Sequence, residues 1–272
     1  MKLDDMRPLV EVKNITKEFP VGKGRKGSKV LAVNNVSFNI MRREVFGLAG
    51  IAGSGKSTIG LIILNLMKPT TGEVIFDNQV ISNLNQREML PFRSQMQMVF
   101  QNPLASLNPR KTAASNLELP LINLTTYSPK ERKQRILEML HEVGLEQRHA
   151  QYYPHEFSGG QCQRLGIARA LICNPKFIFL DEPVSALDVS IQAQILNLLK
   201  ELQEKLGVAF LFVANNLNIV QFISDRLAIL EAGRIIEMGD TVKLFSSPKQ
   251  KLTKKLISSI ISLDKRAQAE IE

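Results

Sequence analysis

Apolar and charged positions nearly alternate over residues 10–19, the period of a strand with one buried face, and the mixture reads as an edge strand. A second strand region follows at residues 30–40, and the glycine- and lysine-rich residues 21–29 between them read as a hairpin loop. Residues 45–49 and 177–180 are short continuous apolar runs, the pattern of strands buried on both faces. Residues 74–76 and 208–213 also read as strands, and residues 57–67 are apolar and helix-compatible. Ser128-Pro129-Lys130-Glu131 is a capping box with proline at the first helical position. The helix it opens carries Ile136, Leu137, Leu140 and Val143 on one stripe, with Gly144 suited to its C-terminal cap. Ile191, Ile195, Leu198, Leu199, Leu202 and Leu206 share a second helical face that ends before Gly207. Residues 227–230 and 234–237 predict a hairpin around Glu231-Ala232-Gly233.

Strands alternating with helices predict an α/β sheet core. From about Arg93 the texture changes to helix, loop and helix, so residues 93–165 read as an inserted helical subdomain. Residues 1–92 and 166–246 then form the core, and residues 247–272 a lysine-rich helical tail.

The composition narrows the function classes. With 272 residues, 44% of them hydrophobic and 22% charged, the chain can bury a real core and is not a disordered polymer. The net charge of +9 fits nucleic acid, an anionic membrane face or a phosphate ligand, and by itself selects none of them. Cys162 and Cys173 form no C-x-x-C pair, and His141, His149 and His155 have no partner at ligand spacing, so a zinc or redox centre is not expected. Charges within residues 1–10 argue against a signal peptide. No apolar run approaches the ~20 residues that span a bilayer, so any membrane role must come through partners.

Gly50-Ile51-Ala52-Gly53-Ser54-Gly55-Lys56-Ser57-Thr58 fits G-x-x-x-x-G-K-[ST], with a buried strand before it and a helix after it. Glycines let such a backbone wrap closely and turn its N–H groups toward phosphate oxygens. The following helix start adds a partial positive charge of roughly +0.5. Lys56 is placed to reach the β- and γ-phosphates and Ser57 to ligate Mg²⁺. No N-K-x-D tetrapeptide is present to read guanine, which favours ATP. Asp181 and Glu182 stand at the end of the buried run 177–180, where open α/β sheets bind ligands. Asp181 would hold Mg²⁺, and Glu182 would polarise the attacking water as general base.

With Phe157-Ser158-Gly159-Gly160-Gln161-Cys162-Gln163-Arg164 between these motifs, the chain resembles the nucleotide-binding subunit of an ATP-binding cassette (ABC) transporter nearly end to end. The resemblance implies a P-loop NTPase fold with a mixed sheet core over roughly residues 10–246, an N-terminal antiparallel β region and an inserted helical subdomain. It implies that Phe19 stacks on adenine. Gln101 would sense Mg²⁺ and the transmembrane partner. Ser158, Gly159, Gly160 and Gln161 would cap the γ-phosphate of ATP held by an opposite subunit, and Asp188 would communicate across that dimer. It also implies the partners: a second ATPase chain, two permease subunits and an extracytoplasmic solute-binding protein, with this chain peripheral at the cytoplasmic face of the membrane. Ser106-Leu107-Asn108-Pro109-Arg110 and Tyr153-Pro154-His155-Glu156 resemble the oligopeptide, dipeptide and nickel importers, as an F-type subunit. Leu252-Thr253-Lys254-Lys255-Leu256-Ile257 more nearly resembles the peptide system associated with cationic antimicrobial peptide resistance.

The pattern breaks in places. Asn215 stands where the family usually carries a histidine beside the γ-phosphate, and asparagine can donate a hydrogen bond but carries no charge or titratable proton near pH 7. Ile51, Arg43 and Cys162 also depart from common residues. The expectation is a chain that binds ATP, turns it over slowly at its own phosphate loop, and serves a partner's site with its intact signature. Two other readings stay open on sequence: a cassette ATPase acting on DNA or ribosomes, and an ATP-binding regulatory subunit with little hydrolysis.

Overall fold

A computed structural model describes residues 7–21 and 28–258. In chain order the elements are β1 (Pro8–Val21), β2 (Ser28–Met41), β3 (Val45–Gly50), α1 (Lys56–Ile63), β4 (Thr71–Phe76), β5 (Gln79–Val80), α2 (Leu90–Arg93), β6 (Met96–Val99), α3 (Pro103–Ser106), α4 (Ala113–Leu124), α5 (Pro129–Glu142), α6 (Gly159–Leu171), β7 (Phe177–Asp181), α7 (Val189–Leu206), β8 (Ala209–Ala214), α8 (Leu217–Ile223), β9 (Arg226–Glu231), β10 (Arg234–Asp240) and α9 (Thr241–Ser246). A last helix covers residues 251–258. The chain divides into two compact units, one built on residues 83–211 and the other on residues 10–40, 44–82 and from 212 onward. Among the described residues no helix is long and apolar enough to cross a membrane.

The unit that begins at Val10 contains two sheets. In the first the order is β2-β1-β4-β5, with β4 antiparallel to β1 and to β5. β1 is therefore an interior strand and not the edge strand its mixed composition suggested: it is paired on both sides, with Val10, Val12 and Ile15 buried and the alternating Glu11 and Lys13 less so. In the second sheet β9 pairs with β3 in parallel and with β10 antiparallel, a mixed arrangement. β3 is buried along its whole length, as its unbroken apolar run predicts. Phe46 stacks on Phe38 at 4.9 Å, and the Arg226 guanidinium lies over Phe46 while pairing with Glu44 at 3.1 Å. The β9–β10 hairpin turns at Ala232 and Gly233, both in the left-handed region, as a two-residue turn requires. α1 is shorter than the apolar run 57–67: the chain leaves the helix after Ile63, and Asn65 adopts φ 51° with its side-chain amide donating to the Ile81 carbonyl at 2.8 Å. Of the hairpin loop expected over residues 21–29, residue 21 ends β1, residues 28 and 29 begin β2, and residues 22–27 lie outside the described residues.

In the other unit, the stretch 93–165 is not helical throughout. It includes β6, a parallel partner of β7 over Met96–Val99. That run is only four residues long and carries Gln97, too short to show a period. Beyond it the helical reading holds. Ser128 and Glu131 cap α5 reciprocally, at 3.4 Å from Glu131 N to Ser128 Oγ and 2.7 Å from Ser128 N to Glu131 Oε2. Ile136, Met139, Leu140 and Val143 are buried, whereas Leu137 is only half-buried. α7 buries Ile195, Leu198, Leu199 and Leu202, and stops at left-handed Gly207. His149 is buried among Tyr152 and Phe157, its Nδ1 accepting from Glu146 N at 2.9 Å, a packing role.

Candidate functional site

The loop between β3 and α1 is shaped by what presses on it. An added Cβ at Gly50 would lie 2.2 Å from the Leu230 carbonyl oxygen, and one at Gly55 would lie 2.3 Å from that of Ala32. Gly55 also has φ 106°, so its conformation and its surroundings both exclude a side chain. The turn between β9 and β10 ties in, with Gly233 N donating to Ser54 O at 3.0 Å. Lys56 is 4% exposed, and its ammonium donates to the carbonyls of Gly50 (3.0 Å) and Ile51 (2.9 Å) and contacts Ser54 Oγ (3.4 Å). A buried ammonium must be compensated, and these loop oxygens do it. No side chain caps α1, and no acidic residue lies in its first turn. An uncapped helix start that carries a lysine and no acidic residue, after a glycine-bent loop, is an anion-binding geometry. Ile51 at the loop's tip is exposed, as are Ala52 and Gly53. Ser57 and Thr58 are in the first turn of α1.

Two further residues belong to the same unit. Phe19, on β1, is half-buried with the Lys17 ammonium 5.3 Å from its ring centroid, a cation–π contact. Lys17 is held there by donating to the Lys68 carbonyl at 2.7 Å. Asn215 follows the last residue of the fully buried β8 and is exposed just ahead of α8, whose N-cap is Asn216.

In the other unit the end of β7 brings Asp181 and Glu182 out of a strand of buried Phe177, Ile178, Phe179 and Leu180. Glu182 turns sharply, with φ 48°. Gln101, between β6 and α3, donates its side-chain amide to Glu182 Oε2 at 3.3 Å and to Ser185 Oγ at 3.2 Å. Two residues singled out 81 positions apart thus meet in the fold. Ser185 was not singled out; its only signal was its place three residues after Glu182. Asp188 is the exposed N-cap of α7, and its carboxylate makes no capping bond.

The signature segment starts α6. Ser158 Oγ accepts from Gln161 N at 3.3 Å, and Ser158 N donates to Gln161 Oε1 at 3.0 Å, a capping box whose sequence signal is the serine–glutamine spacing of three. A cap uses the hydroxyl as acceptor and keeps its proton to donate, so the capping role and an anion-binding role are compatible. Gly160 is small for packing: a Cβ there would lie 2.7 Å from Ile191 Cγ2 on α7. Cys162 is buried beneath the same turn with its thiol on the Pro154 carbonyl at 3.3 Å, and burial pushes its pKa up. Among the described residues no group of three His, Cys, Asp or Glu side chains could hold a metal ion alone.

The sequence profile of the ABC transporter family matches residues 33–185. The oligopeptide transport ATP-binding protein AppF of Bacillus subtilis is 43% identical over 276 residues, spanning 100% of this chain and 84% of that protein. The dipeptide transport ATP-binding protein DppF of Lactococcus lactis is 45% identical, over 96% of this chain and 84% of its own. Among solved structures, the dimeric ATP-binding cassette MJ0796 in a post-hydrolysis state with ADP and Pi superposes with a TM-score of 0.77 at 38% identity, covering 85% of this chain and 98% of that one. A cassette of a different transporter complex, cbiO1 of Clostridium perfringens, gives a TM-score of 0.78 at 25% identity over 94% of this chain and 95% of its own. This α/β chain, with its mixed and antiparallel sheets, belongs to the ABC transporter family and is one of its ATP-binding, ATP-hydrolysing cassettes.

Proposed function

We propose that the chain is the motor subunit of a peptide importer, working at the cytoplasmic face of the membrane beneath two permease subunits, beside a second ATPase chain, and fed by an extracytoplasmic solute-binding protein. The peptide-transport names of relatives at 43–46% identity over nearly the whole chain support this reading. They also disfavour a DNA- or ribosome-directed cassette.

The observation that carries the nucleotide assignment is buried Lys56 in a loop whose Gly50 and Gly55 press against backbone carbonyls. The loop Gly50–Thr58 binds the phosphates through backbone N–H groups, Lys56 and the start of α1. Phe19 presents a ring face to adenine. Ser57, Gln101 and Asp181 offer a hydroxyl, an amide oxygen and a carboxylate, the hard oxygen donors that suit Mg²⁺; the ion would neutralise charge on the phosphates. Glu182 orients and deprotonates the attacking water. The Ser158 hydroxyl and the α6 start offer a second anion-binding end, which serves nucleotide on the partner chain, while Asp188 faces the dimer. Asn215 donates one hydrogen bond where a histidine could also carry charge. Loss of a preorganised contact to developing charge costs on the order of 10²–10³ in rate, so this chain's own site turns over slowly and the partner's site does most of the hydrolysis.

The test is ATP-dependent peptide uptake by the reconstituted complex. Wild type should couple peptide delivery to ATP hydrolysis, and Lys56→Ala should lose ATP binding at this chain. ATPase activity driven by DNA or ribosomes, with no peptide uptake, would refute the assignment.

A further inference from the structure

Lys17 and Phe19 stand two apart on β1, so their side chains leave the strand on the same face. The Lys17 ammonium, 5.3 Å from the Phe19 ring centroid, is held a second time by donating to the Lys68 carbonyl at 2.7 Å. Lys68 and Thr70 belong to the connection between α1 and β4. That connection is fastened to β1 without help from Lys17: Thr70 N donates to the Thr16 carbonyl at 2.7 Å, and Glu18 N donates to Thr70 Oγ1 at 3.0 Å. Lys68 is anchored in its turn, its own ammonium donating to the Ser82 carbonyl at 2.7 Å. The Lys17 ammonium therefore bears on the ring from a fixed point, and removing it leaves the backbone around the ring tied down.

An aromatic ring carries partial negative charge on both faces. A cation on one face draws π density toward itself, and the opposite face becomes less repulsive to a planar, electron-rich base. Filling one face also limits rotation of the half-buried ring, and a side chain already set in place loses less entropy when a ligand stacks on it.

We infer that Lys17 is a positioning residue for the nucleotide base: its ammonium, lodged between the Lys68 carbonyl and one face of Phe19, sets the ring so that its opposite face takes adenine. This rests on the reading of Phe19 as the adenine platform. Lys17 acts through the ring and not on the phosphates, so its contribution belongs to the base alone. An ammonium over an exposed or half-exposed ring is worth about a two- to fivefold change in affinity.

The test titrates the full chain with Mg-ATP and, separately, with inorganic tripolyphosphate, which has the phosphates and no base. The variants are Lys17→Gln, Lys17→Arg, Phe19→Leu and the double variant K17Q/F19L. K17Q should weaken ATP binding about two- to fivefold and leave tripolyphosphate binding unchanged. K17R, which keeps a cation for the ring, should return ATP affinity toward wild type. In the F19L background K17Q should have no further effect, because the ring through which it acts is gone. ATP affinity indifferent to K17Q, an equal loss for ATP and tripolyphosphate, or an undiminished loss in the F19L background would overturn the inference. F19L judges the platform by itself: if it weakens ATP binding while K17Q does not, only the role of Lys17 falls. If F19L leaves ATP affinity unchanged, the platform falls and the inference with it.

Discussion

Gly55 sits against the Ala32 carbonyl so closely that a methyl group would come within 2.3 Å of its oxygen. Gly53, two residues earlier, is also left-handed at φ 76°, but a Cβ there meets nothing within 4 Å. The pair separates two costs that are usually confused. Gly53→Ala carries only the conformational penalty, about 1–2 kcal/mol. Gly55→Ala adds a backbone collision and should cost about 3 kcal/mol or more, with loss of ATP binding. Urea unfolding and nucleotide titration of the two variants check this ordering; equal destabilisation would contradict it.

Both thiols should be inert in the folded chain. Burial pushes the Cys173 pKa to about 11, against a smaller lowering from nearby Arg135, and burial raises that of Cys162 as well. Only the thiolate reacts, so alkylation by iodoacetamide at pH 7.5 should be slow in native protein and fast in denaturant. Mass spectrometry of the alkylated sites reads the contrast directly.

Glu237 on β10 staples the C-terminal helix. Its carboxylate accepts from Lys249 N at 2.8 Å and Gln250 N at 3.0 Å. Burial raises its pKa, but the Thr253 hydroxyl, these two N–H groups and the Lys249 charge outweigh that, and the net shift is downward. A carboxylate depressed in the folded state stabilises above its unfolded pKa, about 4.3, and loses that contribution as pH falls through the folded value. Hydrogen exchange in residues 251–258 should therefore be pH-independent in this respect near neutrality and accelerate selectively below about pH 4.3. Glu237→Gln should loosen the helix by about 1 kcal/mol at pH 7 and flatten that dependence.

Much of this was readable in residues whose role is local. The loop Gly50–Thr58, the Ser128–Glu131 box and the hairpin at Ala232-Gly233 declare themselves because neighbours in sequence do the work. The interior placement of β1 was not readable, because pairing on its second side depends on β4, which starts 50 residues after β1 ends at Val21. β6 was hidden by its length. The carbonyls of Ala32 and Leu230 that confine the loop act across the fold, and no local spacing signals them. Asn215 is the reverse case: plain in the sequence, with a consequence that only kinetics can read.

That consequence is directional. Asn215→His should raise single-turnover hydrolysis at this chain's own phosphate loop by tenfold or more, while turnover at the partner's site stays unchanged. Equal rates at the two sites in wild type would show that asparagine serves as well as histidine.

The central claim is that ATP joins two chains, held by the Lys56 loop of one and the Ser158 helix start of the other. Glu182→Gln keeps binding and stops hydrolysis, so it should trap the joined state. Sedimentation of the purified cassette pair carrying this variant should show ATP-dependent association that ADP does not support and that Ser158→Arg abolishes. ATP bound tightly by a lone protomer, with no association at any protein concentration and no effect of Ser158→Arg, would contradict the account.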